Sequence, residues 1–223
     1  MGKKLFVVLI AAVVLASCST SRYYSDYTQE DITEDLAILG PISSIVYMDK
    51  NNHRVYDDSL SIASEELFTK LTYQSGLPIT ARIELNEDQR HDALSFLSYL
   101  NSTSAKERGN VPIPQSLDYL LESSGHRYGL LLFEDGTVRD PKGVYKEVAV
   151  SAAIAILVAV ITLGSIIMYS VPIANISNVY IAVIDSQEDN VVFYNMGHSD
   201  DTDPLNERAL KSQLKGLYKK LLE

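Results

Sequence analysis

The feature that most constrains this chain is a run without charge. No Asp, Glu, Lys, Arg or His occurs between Glu147 and Asp185, a stretch of 37 consecutive positions. It begins "VAVSAAIAILVAVITLGSIIMYSVPIANIS". Val148 to Val171 alone exceeds the roughly 20 apolar residues needed to cross a bilayer core. Taken by itself, the run predicts a transmembrane helix. The remainder of the chain has to fold around that prediction or contradict it.

The contradiction begins at the N-terminus. Lys3 and Lys4 precede an apolar run from Leu5 to Leu15, and the small residues Ala16 and Ser17 follow. A basic segment, an apolar stretch too short to span comfortably, and a small-residue cleavage region form a secretory signal peptide over residues 1–17. The stretch Leu15-Ala16-Ser17-Cys18 resembles the lipobox of bacterial lipoproteins. That resemblance implies cleavage between Ser17 and Cys18 and attachment of diacylglycerol and a palmitate-type acyl chain at Cys18. Cys18 is the only cysteine, so the exported domain has no thiol that could mispair in an oxidising compartment. Several buried acyl chains, at about 0.8 kcal/mol per methylene, hold a protein firmly on a membrane. Ser19 follows the cysteine in place of the aspartate that favours inner-membrane retention, so the expected location is the outer membrane of the cell envelope.

Formal net charge is −10, and removing the two positive charges of Lys3 and Lys4 makes the mature chain −12. An acidic chain offers no electrostatic footprint for nucleic acid. Residues 18–40 are polar, acidic and rich in tyrosine, and read as a lipidated tether. Residues 41–223 read as one α/β domain, a mixed sheet flanked by helices, with the hydrophobic insert 148–173 placed before the last hairpin.

Along that domain, Ile45 to Met48 predict a strand. Leu60, Ala63, Leu67, Phe68 and Leu71 have helical spacing, and Gly76 is a natural stop. Ile79, Ala81, Ile83 and Leu85 alternate as in a half-buried strand. Asn86 with Gln89 three residues on predicts a capping box, ahead of a helix facing Ala93, Leu94, Phe96, Leu97 and Leu100. Pro114 opens a short helix that Gly125 ends. Tyr128 to Phe133 predict a strand closed by a turn at Asp135-Gly136. Val179–Ile184 and Val191–Tyr194 predict a hairpin. Asp203-Pro204 caps a final helix with Leu205, Leu210, Leu214, Leu217 and Leu221 near one face and lysines toward its C-terminal end.

The order of these elements resembles the periplasmic α/β domain of the curli-secretion lipoproteins and related Bacteroides-type lipoproteins. Asp185 and Phe193-Tyr194 match a family pattern in which a strand ending in Asp leads through a turn to a strand ending in aromatics. The resemblance covers about residues 43–222. It implies a fold and contains no catalytic motif.

The insert has several readings. It is a helix or helical hairpin, broken near Gly164-Ser165, that dips into the lipid; a full span that makes the α/β assignment wrong; a surface between protomers; or a core helix with a hydrophobic loop. Alternating small and branched residues in "AAIAILVAV" also permit the kind of β-hairpin from which curli-secretion lipoproteins build a pore. A single stop-transfer helix would leave the hairpin and last helix on the other side of the membrane from residues 128–133, although all look like one sheet. Lys142 and Lys146 lie on its N-terminal flank, which positive-inside bias would place in the cytoplasm, against the lipobox. The reading taken is contact of residues 148–171 with membrane lipid, or self-association.

Motifs for chemistry are sparse. His53, His91, His126 and His198 form no metal-ligand spacing. Asp200, Asp201 and Asp203 could hold calcium, but they lack the glycine and distal glutamate of an EF-hand loop, and the run reads first as a loop with a helix cap. No nucleophile elbow, phosphate-binding glycine loop or dinucleotide fingerprint occurs. No cofactor or metal is expected. The expected function is a non-enzymatic envelope lipoprotein that binds or assembles with an envelope protein, with a homo-oligomer as a further partner. The alternatives are an oligomeric pore or export component, and a hydrolase whose site is assembled in space near His91 or His126.

Overall fold

The computed structural model describes residues 22–24, 27, 29–33, 35–145, 175–200 and 202–222. The signal peptide, the cleavage site at Ser17 and Cys18, and the insert 148–173 lie outside the described residues.

Seven strands form one mixed sheet: β1 (Arg22–Tyr23), β2 (Leu36–Met48), β3 (Arg54–Tyr56), β4 (Ile79–Ile83), β5 (Tyr128–Arg139), β6 (Ile176–Asp185) and β7 (Asn190–Asp200). Their order is β1-β7-β6-β5-β2-β3, with β4 paired to β2. The outer edge of β2 is shared: β4 runs parallel to Leu36–Leu39, and β3 runs antiparallel to Val46–Met48. β2 and β5 are parallel neighbours, whereas β5–β6 and β6–β7 are antiparallel. The helices are α1 (Gln29–Thr33), α2 (Asp58–Tyr73), α3 (Glu87–Ser102), α4 (Gln115–Ser124) and α5 (Glu207–Leu222). Residues 141–145 are helical as well. The chain is therefore a single α/β domain with a mixed sheet flanked by helices, as the alternation of patterns implied.

The two sheet faces have separate cores. Leu36, Ile38, Leu130, Leu132, Ile181 and Val183 point toward α2 and α5. Ala37, Leu39, Leu131, Ala182 and Ile184 point toward α3 and α4. Adjacent residues of one strand serve opposite cores because strand side chains alternate with a period of two. A strand covered on both faces reads as a continuous apolar run, which explains "LAIL" and "GLLLF".

Several local expectations hold. Asn86 and Gln89 form both halves of the capping box, and Ala93, Phe96, Leu97 and Leu100 are buried behind it. Gly125 ends α4 at φ 77°, a left-handed conformation that glycine adopts without a Cβ penalty.

Others are corrected. Leu36–Gly40, placed in the tether, lie in β2, and Arg22–Tyr23 pair with Phe193 and Tyr194 of β7. Pro41 lies within β2, although proline cannot donate to a ladder. The strand accommodates it with a register shift between Leu39 and Ile42. Asp135-Gly136 is no turn: β5 continues through it to Arg139. A Cβ on Gly136 would meet Ile45 Cδ1 at 2.7 Å and Pro204 Cβ at 3.0 Å, so the glycine serves close packing. The buried side of α2 includes Ser61, Ser64 and Thr72, whereas Ala63 is exposed. The cap of α5 is Asn206, whose Oδ1 accepts from Ala209 N at 3.1 Å; Asp203 closes the preceding turn at Leu205 N.

Candidate functional site

The sheet has two chemically different ends. At one end, β5 leaves the sheet at Arg139 and β6 enters it at Ile176, and the insert lies between them in sequence. The two strands are hydrogen-bonded neighbours from Tyr128↔Asp185 to Thr137↔Ile176. Arg139 N donates to Asn175 Oδ1 at 3.0 Å and holds the two chain segments together. The described residues on either side of the insert thus meet at the same end of one sheet.

Just inside this end sits Glu134, 0% exposed on β5. Ser64 of α2 donates to its Oε2, and Ser177 of β6 donates to its Oε1 at 2.8 Å. Ser43 of β2 bonds Ser64 at 2.9 Å, and Ser61 accepts from Ile45 N at 2.9 Å. Gln213 of α5 donates to the carbonyls of Ser177 and Gly197, each at 3.2 Å. Among the described residues no Lys or Arg bonds Glu134. Burial pushes its carboxyl up to about 7; the two serine bonds oppose this, and the nearby charges of Asp203 and Asp135 add to it. This polar layer joins α2 and α5 to four strands, β2, β5, β6 and β7. Its sequence signal was present but inconspicuous: small hydroxyl residues where an apolar helix face was expected.

At the other end, Asp185 closes β6 and is also 0% exposed. Arg127 grips it with Nε at 3.0 and 3.1 Å and Nη2 at 2.7 Å. Tyr27 donates to Oδ2 at 2.9 Å, and Gln187 N donates to Oδ1 at 2.9 Å. Burial raises the Asp185 carboxyl, but Arg127, Tyr27 and Gln187 outweigh it and hold it below the usual range. Tyr27 is pushed up to about 12 by burial and then by Asp185. The aspartate that carried the family resemblance is therefore a structural clamp between the β5 start, the hairpin turn and the N-terminal segment.

A groove opens between the C-terminal end of α2 and α5. It encloses about 180 Å³ and is lined by Leu71, Leu214, Tyr218 and Leu222, with Lys211 and Lys215 at its rim. It contains no histidine and no carboxylate.

The histidines are dispersed. His53 pairs with Asp49 in the β2–β3 turn. His126 Nδ1 lies 2.6 Å from Asp35 Oδ1. Nearby Ser186 donates to the backbone carbonyls of His126 and Arg127, not to the imidazole. His91 is on α3, and His198 of β7 contacts Asn178 and Asp200. No group of three His, Cys, Asp or Glu suited to a metal occurs among the described residues. Asp200 belongs to β7, Asp203 to the turn before α5, and Asp201 lies outside the described residues. No described helix is long and apolar enough to cross a membrane.

No protein-family model and no curated protein matches the chain. Similar solved structures include the PelC dodecamer from Paraburkholderia phytofirmans, at 11% identity over 90% of this chain and 94% of that one, with a TM-score of 0.39. The LpoB C-terminal domain from Salmonella enterica is 7% identical over 78% of this chain and 86% of that one, with a TM-score of 0.29. A DUF4136 family protein from Bacteroides thetaiotaomicron is 7% identical over 91% and 90%, with a TM-score of 0.26. All three likenesses are distant.

Proposed function

We propose that the chain is a cell-envelope lipoprotein, anchored through acylated Cys18, that acts without catalysis as a binding or assembly module at the outer membrane. The observation that carries this reading is the β5–β6 ladder. Because the ladder joins the strands before and after the insert, the described chain on both sides of residues 148–171 belongs on one side of any bilayer. A single span would separate paired strands, and backbone groups of a sheet cannot be left unpaired in lipid. The ladder supports a reading without conflict between the apolar run and the lipobox, in which the insert would touch the same membrane that Cys18 is anchored to. A second reading, a pore or export component, rests on the same strands, whose neighbouring ends could extend outward as a hairpin; conductance in planar bilayers separates it from the first.

The test combines palmitate labelling of wild type and Cys18→Ala with protease treatment of a C-terminal tag in intact spheroplasts. The expected result is label on wild type alone and a digested tag. A protected tag, or label retained in Cys18→Ala, overturns the reading.

A further inference from the structure

The chain is strongly acidic, yet α5 carries a line of cations. Arg208, Lys211, Lys215 and Lys219 are exposed and spaced by three, four and four residues, which places them along one side of the helix. Arg208, Lys211 and Lys215 have no carboxylate partner among the described residues, although Lys70 pairs with Glu207 close by. Lys211 and Lys215 flank the apolar groove. Three features thus coincide: an apolar recess, unpaired positive charge at its rim, and a protein with net charge −10.

The complement is on the opposite face of the sheet. Tyr119 of α4 is 69% exposed, more than Tyr99 of α3 or Tyr73 of α2. Asp118 and Glu122 are its neighbours on the same helix, at one and three positions away. Asp118 Oδ1 is buried with no hydrogen-bond partner. Glu122 and Asp189 add like charge to it, behind the larger effect of burial. A cavity of about 150 Å³ lined by apolar groups is known to take a benzene-sized guest, so the groove here has room for a phenol ring.

We infer that the protein associates with a second copy of itself head to tail, Tyr119 of one copy entering the α2–α5 groove of the next while Asp118 and Glu122 meet Lys211 and Lys215. The two surfaces lie on opposite faces of one sheet, α4 over one core and α5 over the other. A single two-fold contact cannot use both at once. The contact is therefore heterologous, and each copy keeps one free donor face and one free groove until the assembly closes. A buried aromatic with charges around it is the pattern of an interface hot spot. The inference goes beyond the lipoprotein reading and does not depend on the anchor.

The test uses the full acylated chain in detergent, with mass measured by light scattering. Wild type is expected to self-associate. A groove variant, Lys211→Glu with Lys215→Glu, and a donor variant, Tyr119→Ala with Glu122→Lys, are each expected to weaken association by about tenfold or more and run as monomers. All four positions are surface-accessible, and unchanged thermal melts verify folding. Mixed one to one, the two variants retain one intact donor and one intact groove, and are expected to form a heterodimer and nothing larger. A monomeric wild type overturns the inference, including one that binds anionic vesicles or an acidic peptide through the lysines. So does an oligomer that survives both substitutions, which would assign association to another surface while leaving Cys18 anchoring intact. Two monomeric variants that fail to complement overturn the head-to-tail arrangement.

Discussion

Glu134 and Asp185 are both fully buried carboxyls on adjacent strands, and the protein treats them in opposite ways. Asp185 pairs across the ladder with Tyr128, six residues and about 20 Å along β5 from Glu134. Asp185 has a bidentate guanidinium and two further donors, and is held as an anion. Glu134 has only hydroxyl groups, and burial favours its neutral acid. One end of the sheet is closed by a charge clamp. The other, where the insert attaches, is closed by a layer whose fit depends on a proton. Burial alone does not set a carboxyl's charge; the donors around it do.

The sharpest way to break this contrast is Asp185→Ala. Removing one partner of a buried ion pair costs about 3–5 kcal/mol, and the partly exposed Arg127 places this case near the lower end. The expected outcome is a large fall in the urea midpoint. A loss under about 1 kcal/mol would mean that the clamp is solvated and that the two ends do not differ as described.

Glu134 is tested by pH. Its carboxyl in the folded protein is raised to about 7, above the ordinary value of 4.5 that it has when unfolded. The folded state therefore binds the proton more tightly. Its contribution is fully present below about 4.5 and is lost as pH rises through about 7, by up to roughly 3 kcal/mol. Asp185 has the opposite sign: its contribution is present above the usual aspartate range and is lost as pH falls through its lowered value. Glu134→Gln is expected to flatten the stability profile between pH 5 and pH 8, as read by thermal melts, and to leave the acid limb in place. A wild-type profile that rises across this window would contradict the assignment.

The pattern of apolar residues made the element order legible, along with the capping box at Asn86 and the sheet that unites residues 128–133 with the final hairpin. Those signals are local, or repeat with a fixed period. What stayed hidden depends on contacts between distant segments. Ser64 and Ser177 look like surface serines until Glu134 is placed between them. Asp185 matched a family pattern, but nothing in its neighbours revealed that Arg127 and Tyr27 would converge on it from 58 and 158 residues away. Asp135-Gly136 was misread because the same dipeptide serves tight turns and tight packing, and only the position of Pro204 distinguishes them. Gly136→Ala measures that packing. The new methyl would sit 3.0 Å from the rigid Pro204 ring, so a loss of about 2 kcal/mol is expected in chemical denaturation. An unchanged midpoint would mean that the turn before α5 gives way freely and that the insert end of the domain is loosely packed.

The smallest expected effect isolates one donor of the clamp. Tyr27→Phe removes the 2.9 Å hydrogen bond to Asp185 and the longer one to Asn190, and leaves Arg127 in place. One hydrogen bond is worth about 1 kcal/mol. Tyr27 donates to the charged form of Asp185, so its loss lets that carboxyl drift up toward its ordinary range. The acid limb of the stability profile is then expected to move to higher pH, while the window governed by Glu134 stays where it was. A shift in that second window would show that the two ends of the sheet are coupled through β5. The same stability loss with no movement of the acid limb would make Tyr27 a packing residue, edge-on to Tyr128 at 6.5 Å, and leave the clamp to Arg127 and the turn amide.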